Sequence, residues 1–336
     1  MKIAVVGAGY WGENLVRVFN QLGVLGQVCD ARAGRLQQLA AKYPGVQTET
    51  SLEAVLNDSG LDGVVIATPA ETHYGIAKSA MEAGKDVFVE KPMALRSAEV
   101  ERLMDLAERQ QRILMVGHLL EFHPAITRLQ QMVENGELGR LEYIYSNRLN
   151  WGKVRREENA LWSFAPHDIS VILLLLKDLP IQVAATGGAY LQPNIADATV
   201  STMLFDRGVR AHLFVSWLHP YKEQKLVVVG EHRMAVFDDV RKTDKLQVFD
   251  KKIELVDGQF VVERPTPQVV PFPSDEPLAL ECQHFLECIE TRRQPKTDGA
   301  DAWRVLKVLE ASQRSLNMNG EPVQLEPHRS LEMVRS

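Results

Sequence analysis

The stretch Ile3-Ala4-Val5-Val6-Gly7-Ala8-Gly9-Tyr10-Trp11-Gly12 decides the fold. Its first four residues form an apolar run too short for a helix and rich in β-branched side chains, which reads as a buried strand. Three glycines at GxGxxG spacing follow at once, and Leu15, Val18, Phe19 and Leu22 then recur at helical spacing. In a strand–turn–helix unit of this kind, Gly7 permits the tight turn. Gly9 lets the backbone approach a pyrophosphate at the helix N-terminus, and Gly12 lets the helix pack close to the strand. Tyr10 and Trp11, inside the same turn, are candidate cofactor contacts. Asp30 ends the next apolar run, Gly26 to Asp30, where a carboxylate accepts hydrogen bonds from ribose hydroxyls and repels a 2′-phosphate. NAD is therefore the expected cofactor. Arg32 is the discordant residue, because an arginine there can hold a 2′-phosphate.

Outward from this unit the strand–helix alternation continues: a helix over Arg35 to Lys42, Gly63 to Ala67, a helix after Pro69, Asp86 to Val89, a helix over Ser97 to Gln110, and Ile113 to Val116. Alternation builds parallel βαβ units. A domain boundary is expected at Gly117, giving a Rossmann dinucleotide-binding domain over 1–117 and a second domain over 118–325. The second begins with helices over Pro124 to Glu134 and Asn159 to Leu176. Strands follow at Val183 to Tyr190, Thr199 to Phe205, Val209 to Trp217, Lys225 to Val229, Met234 to Phe237, Leu246 to Phe249 and Phe260 to Val262. Turn signals such as Asp206-Arg207-Gly208 and Asp257-Gly258 separate them. The expectation is an α/β chain whose C-terminal α+β domain carries a large open, mainly antiparallel sheet. A proline-rich run, Pro265 to Pro277, precedes helices over Leu278 to Thr291 and Ala300 to Leu316.

The 336 residues carry a formal net charge of −6, which argues against nucleic acid held by bulk electrostatics. With 45% hydrophobic and 24% charged residues the composition is that of an ordinary globular chain, not a disordered one. Cys29, Cys282 and Cys288 form no CxxC pair, so no disulfide framework or cysteine zinc site is expected, and a reducing cytoplasm fits. The longest strongly apolar run, Val171 to Leu176, is far below a membrane span.

Three loops at the carboxyl ends of successive parallel strands carry polar residues: Thr68-Pro69 with His73, then Glu90-Lys91-Pro92, then Gly117-His118. Ligands bind at that edge of an open α/β sheet. With the N-terminal GxGxxG, the TPxxxH-like segment and the EKP motif, the chain resembles the Gfo/Idh/MocA family of NAD(P)-dependent oxidoreductases. The likeness extends through Gly117 to Pro124 and to Glu281 through Ser315. The resemblance implies that Thr68, Pro69, His73, Glu90 and Lys91 lie on the cofactor, that Lys91 sits beside the reacting carbon, and that His167, in Trp162-Ser163-Phe164-Ala165-Pro166-His167-Asp168, is the acid or base. That chemistry stands by itself: alcohol oxidation needs loss of the hydroxyl proton as hydride leaves carbon, and an imidazole titrates near neutrality. For His73 two readings remain, a helix cap after Pro69 or a cofactor contact.

Two departures are visible. Relatives commonly place Asp four residues before the histidine, where this chain has Ser163, and Arg where it has Glu121. No metal site is expected, since His118 and His123 have no closing carboxylate pattern in the sequence.

Between the domains, Ser146 to Asn159 gathers four cations, amides and Trp151. Read as a substrate loop, Arg148 and Arg155 clamp a diphosphate and Asn150 bonds sugar hydroxyls; read blandly, it is a solvated charged loop. The run NRLNxGxxRxxEN followed by LWSFAPHD resembles the family subgroup that oxidises UDP-N-acetylglucosamine-like nucleotide sugars at C3. That implies a substrate site with Lys91, Arg148, Asn150, Arg155, Ser163 and His167, and a 3-keto product for an aminotransferase in surface-glycan synthesis. A free-polyol dehydrogenase acting on an inositol and a non-catalytic dinucleotide sensor are the competing readings. Apolar positions on both faces of the second-domain strands point to a homodimer or homotetramer.

Overall fold

The structure, a computed structural model, describes residues 1–325. It divides into two compact units, 1–122 with 275–306, and 123–274 with 307–325.

The first unit begins β1 (Ile3–Val6), α1 (Tyr10–Gln21), β2 (Leu25–Cys29), α2 (Ala33–Lys42), β3 (Gln47–Glu49) and α3 (Leu52–Asn57). It continues with β4 (Gly63–Ile66), α4 (Ala70–Glu82), β5 (Asp86–Glu90), α5 (Ser97–Gln110) and β6 (Leu114–Gly117). All six strands are parallel in the order β3-β2-β1-β4-β5-β6, so the strand order reverses beside β1 and the loops after β1, β4, β5 and β6 share one edge. Strands β1, β4 and β5 are buried along their whole length, as parallel strands covered on both faces are. Strand β3 is three polar residues and α3 only six residues long, too short for a periodic signal to stand out in the sequence.

The second unit holds α6 (Pro124–Glu134), β7 (Leu141–Trp151), α7 (Ala160–Leu176), β8 (Gln182–Gly188), β9 (Ala198–Leu204), β10 (Arg210–Ser216) and β11 (Leu218–Gly230). It adds β12 (Arg233–Asp238), β13 (Leu246–Asp250), a hairpin of β14 (Lys252–Val256) and β15 (Gln259–Glu263), and β16 (Gln268–Val269). After α8 (Pro277–Thr291) and α9 (Gly299–Asn317) comes β17 (Val323–Gln324), which pairs with β8. Nine strands form the order β16-β13-β12-β11-β7-β10-β9-β8-β17. The sheet is mixed and mostly antiparallel, with β7 parallel to β10.

Two expectations change. Residues 278–291, expected in the second domain, belong to the first unit: Leu278, Cys282, Phe285, Cys288 and Ile289 share one apolar cluster with Ile3, Val5, Phe19 and Phe88. The Phe88 and Phe285 rings are 5.6 Å apart. An amphipathic helix is placed by whichever core its apolar stripe completes, which its own sequence does not state. The first half of the expected loop Ser146 to Asn159 is the end of β7, a central strand. Its inward residues Ile144, Ser146 and Arg148 are buried, and two of the three are polar, which hides the strand from a hydrophobicity reading.

Candidate active site

In the first unit the glycine turn is fixed by sterics. Gly7 has φ +96°, and a Cβ there would lie 2.6 Å from the Ala67 carbonyl, while one on Gly12 would lie 1.9 Å from the Gly7 oxygen. A Cβ on Gly9 would meet nothing within 4 Å. The turn thus closes tightly at its ends and leaves open space over the N-terminus of α1, which fits a pyrophosphate. Tyr10 is exposed beside it, and Trp11 turns inward to donate its indole N–H to the Glu90 carboxylate. That bond ties the glycine turn to the Glu90-Lys91-Pro92 segment.

Asp30 follows β2 and is buried, accepting the Ala8 N–H at 2.8 Å. The Arg32 guanidinium lies side-on against it, with Nε on Oδ1 and Nη2 on Oδ2, both at 2.9 Å, and the Arg32 N–H adds a third bond from that residue. Arg32 and these backbone donors outweigh burial and hold the Asp30 carboxyl down at about 2. The residue expected to favour NAD is thus gripped by the residue expected to favour a 2′-phosphate, and the guanidinium covers lone pairs that ribose hydroxyls would use.

His73 is buried on α4, with Nδ1 2.8 Å from the Pro92 carbonyl oxygen and Nε2 2.8 Å from that of Thr68. It bridges the loops after β4 and β5. Burial lowers its pKa, and a neutral imidazole has one N–H, so it donates to one carbonyl at a time. No side chain caps α4, and this geometry is that of a loop brace, which neither reading named. Thr68 adds a hydroxyl contact to Thr72 at 2.7 Å, and Pro69 precedes α4.

The Lys91-Pro92 peptide is cis, and Lys91 is half-buried. Beneath it, Glu90 is buried and its carboxyl is pushed up to about 7, burial outweighing the bonds from Trp11 and from Lys91. A Cβ on Gly117 would come within 3.1 Å of the Glu90 carboxylate, so the glycine ending β6 leaves room for it. Sequence reasoning missed a second acid here. Glu281 on α8 is fully buried, neither of its carboxyl oxygens has a hydrogen-bond partner among the described residues, and burial and the Glu90 charge push its pKa up. The signal was a lone Glu on the apolar stripe of a helix.

In the second unit, Asn159 caps α7 by accepting the Trp162 N–H at 3.1 Å, and its amide donates to Gln313 at 2.8 Å. His167 is half-buried on this helix and Ser163, one turn earlier, is buried. The next residue, Asp168, points into the sheet, where Arg148 Nε reaches it at 2.5 Å and Ser146 Oγ at 2.6 Å. Arg148 is therefore spent on fixing the helix that carries His167, and not displayed to solvent as the loop reading expected. Asn150 is half-buried; Arg155 is exposed and pairs with Glu158 at 3.1 Å. Among the described residues no helix is long and apolar enough to cross a membrane.

Comparison with known proteins bears on both units. Residues 1–118 match the family described as "Oxidoreductase family, NAD-binding Rossmann fold", and 126–236 match the "GFO/IDH/MocA C-terminal domain", together more than half of the chain. The UDP-N-acetylglucosamine 3-dehydrogenase of Acidithiobacillus ferrooxidans is 28% identical over 91% of this chain and 94% of its own. Its solved structure superposes with a TM-score of 0.85 at 27% identity, covering 95% of this chain and 98% of that one. The scyllo-inositol 2-dehydrogenase (NAD(+)) of Bacillus subtilis is 26% identical over 98% of both chains. Both units are thus matched, and this chain belongs to the Gfo/Idh/MocA family of oxidoreductases, its first unit an NAD-binding Rossmann fold.

Proposed function

We propose that the protein oxidises the C3 hydroxyl of a nucleotide-linked amino sugar, UDP-N-acetylglucosamine-like, to the 3-keto sugar with NAD. The observation that carries this reading is the end-to-end likeness to a UDP-N-acetylglucosamine 3-dehydrogenase, in a chain that has Lys91 at the sheet edge and His167 on a pinned helix. Bound NAD supplies the hydride acceptor. Gly7, Gly9 and Gly12 seat its pyrophosphate and Asp30 its ribose. His167 takes the hydroxyl proton as the C3–H bond breaks, and the Lys91 ammonium stabilises charge building on the oxygen. Two electrons and one proton leave as hydride, the second proton passes to the imidazole, and the ketone produced is the substrate class of an aminotransferase.

One observation favours the polyol reading. Arg148 is occupied by Asp168, so the cations left for a diphosphate are the exposed Lys153, Arg155 and Arg156, whereas a free cyclic polyol needs none. Incubation with NAD and a panel of UDP-sugars and inositols, following NADH absorbance, decides. Turnover confined to UDP-N-acetylamino sugars supports the proposal; turnover of inositols alone replaces it, and NAD binding with no turnover on the whole panel favours the sensor.

The same reading includes a homodimer or homotetramer assembled through the outer face of the nine-stranded sheet. That face carries Tyr143 and Val200, 41% and 44% exposed, with Tyr145 and Phe214 between them. A light-scattering mass near that of one chain at micromolar concentration sinks it.

A further inference from the structure

Three ligating side chains far apart in sequence meet in the first unit. His118 follows β6, Glu121 lies one short turn later, and Asp301 lies in the first turn of α9. All three are buried, and one ligating atom of each lies within 4.8 Å of the others. His118 Nδ1 is 2.5 Å from Asp301 Oδ2 and 3.9 Å from Glu121 Oε1. Among the described residues Glu121 Oε1 has no donor, although its residue is 1% exposed, and the side chain it faces is the Asp301 carboxyl, itself an acceptor unless the pair holds a proton. An acceptor oxygen removed from water and given no donor costs roughly 1–3 kcal/mol, more if charged, so two facing carboxyls call for a cation or a shared proton between them.

We propose that His118 Nδ1, Glu121 Oε1 and Asp301 Oδ2 bind one divalent transition-metal ion of the zinc class as a structural clamp, with water completing the coordination. One imidazole nitrogen and two carboxylate oxygens suit such an ion, and two carboxylates balance its charge. Ligands about 2.0–2.2 Å from a shared ion stand roughly 3–4 Å apart, so the Glu121–His118 separation fits and Asp301, now 2.5 Å from His118 Nδ1, moves back by about 0.5–1 Å.

The surroundings hold the ligands in place. The other Asp301 oxygen accepts from Arg304 at 3.3 Å, and the Asp301 N–H bonds Asp298 at 2.8 Å. Lys296 Nζ donates to the Glu121 carbonyl at 2.6 Å. Thr297 closes a pair of bonds with the Val116 backbone, both 2.8 Å, which fixes the start of α9 beside β6. The ion would thus fasten the returning 297–301 segment to the edge of the Rossmann sheet, away from the glycine turn.

The test uses the untagged full chain expressed in zinc-supplemented medium, with metal measured by elemental analysis after extensive dialysis. About one zinc per chain is expected. Glu121→Gln, which keeps size and loses charge, is expected to weaken zinc binding at least about 100-fold in a competition titration, beyond the usual cost of an outer-sphere change. Because buried variants can misfold, wild-type protein grown with Co2+ provides a second readout: intense visible d–d bands of a low-coordinate N/O site are expected. Wild-type protein holding less than a tenth of an equivalent, or Glu121→Gln holding as much as wild type, or a cobalt spectrum like that of the aqueous ion, each overturns the proposal. The cluster would then be a histidine and two carboxyls sharing protons.

Discussion

Asp168 in the second unit and Glu281 in the first are both carboxyls cut off from water, and their surroundings are opposite. Asp168 meets a guanidinium and a hydroxyl, and the neighbouring buried Asp197 likewise accepts from the Trp217 indole at 2.5 Å and from two backbone N–H groups. Among the described residues Glu281 meets no donor, and the charge that acts on it is that of another acid, Glu90. A buried carboxyl keeps its charge only when donors replace water; otherwise it keeps its proton. The second unit therefore uses buried acids to fasten its segments together, Asp168 joining α7 to the sheet and Asp197 joining the 190–191 loop to Trp217. The first unit stores protons beneath its Lys91 segment, and the pH response belongs there.

The sharpest way to break this contrast is Arg148→Ala. Removing the cation leaves Asp168 buried and uncompensated, and a loss of about 3–5 kcal/mol is expected in denaturant unfolding. Arg148→Ala combined with Asp168→Asn should recover part of it. A loss below about 1 kcal/mol would mean that Asp168 finds water, and the two acids would not differ in kind.

Next in size is Lys91→Ala, for which turnover is expected to fall at least about 10²-fold with dinucleotide affinity nearly unchanged. His167→Asn is expected to lose turnover together with the near-neutral limb of its pH profile. A retained limb moves the base to another group, and unchanged turnover in Lys91→Ala removes it from the active site.

The pH dependence follows by linkage. Glu90 titrates near 4.5 unfolded and at about 7 folded, so between those values the folded state holds a proton that the unfolded chain has released. Its stability contribution is complete below about pH 4.5 and is lost as pH rises to about 7, a total of about 3 kcal/mol. Glu281 shifts in the same direction and adds to the loss as pH rises. Asp30 runs the other way: its contribution is present above about pH 4 and is lost as pH falls through about 2. Glu281→Gln is expected to flatten the alkaline side of the stability profile and to be more stable than wild type at pH 8. An unchanged profile would show that Glu281 has a donor after all.

The smallest expected effect is at the cofactor. Asp30→Ala should weaken NAD about tenfold and narrow its advantage over NADP, and Arg32→Ala should free Asp30 and widen that advantage. If the wild type prefers NADP in a binding titration, Arg32 sets the choice and the assignment to Asp30 fails.

The sequence by itself determined the β1–α1 turn, the parallel alternation up to β6, the alternating strands from 182 on and the Glu90-Lys91-Pro92 motif. Each is a local signal: a glycine that a Cβ would block, or an apolar period of two or 3.6 residues. Tertiary structure alone decided the rest. Arg148 reads as a loop cation until Asp168, on the helix packed over its strand, is seen to absorb it. Residues 278–291 read as part of a second domain until Cys282 and Phe285 are found in the first core. His118 stood without a carboxylate in the sequence because Asp301 lies 183 residues away. Burial and pairing depend on which segments meet in space, and the local pattern of a chain does not encode the partner that decides whether a charge is displayed, paired or protonated.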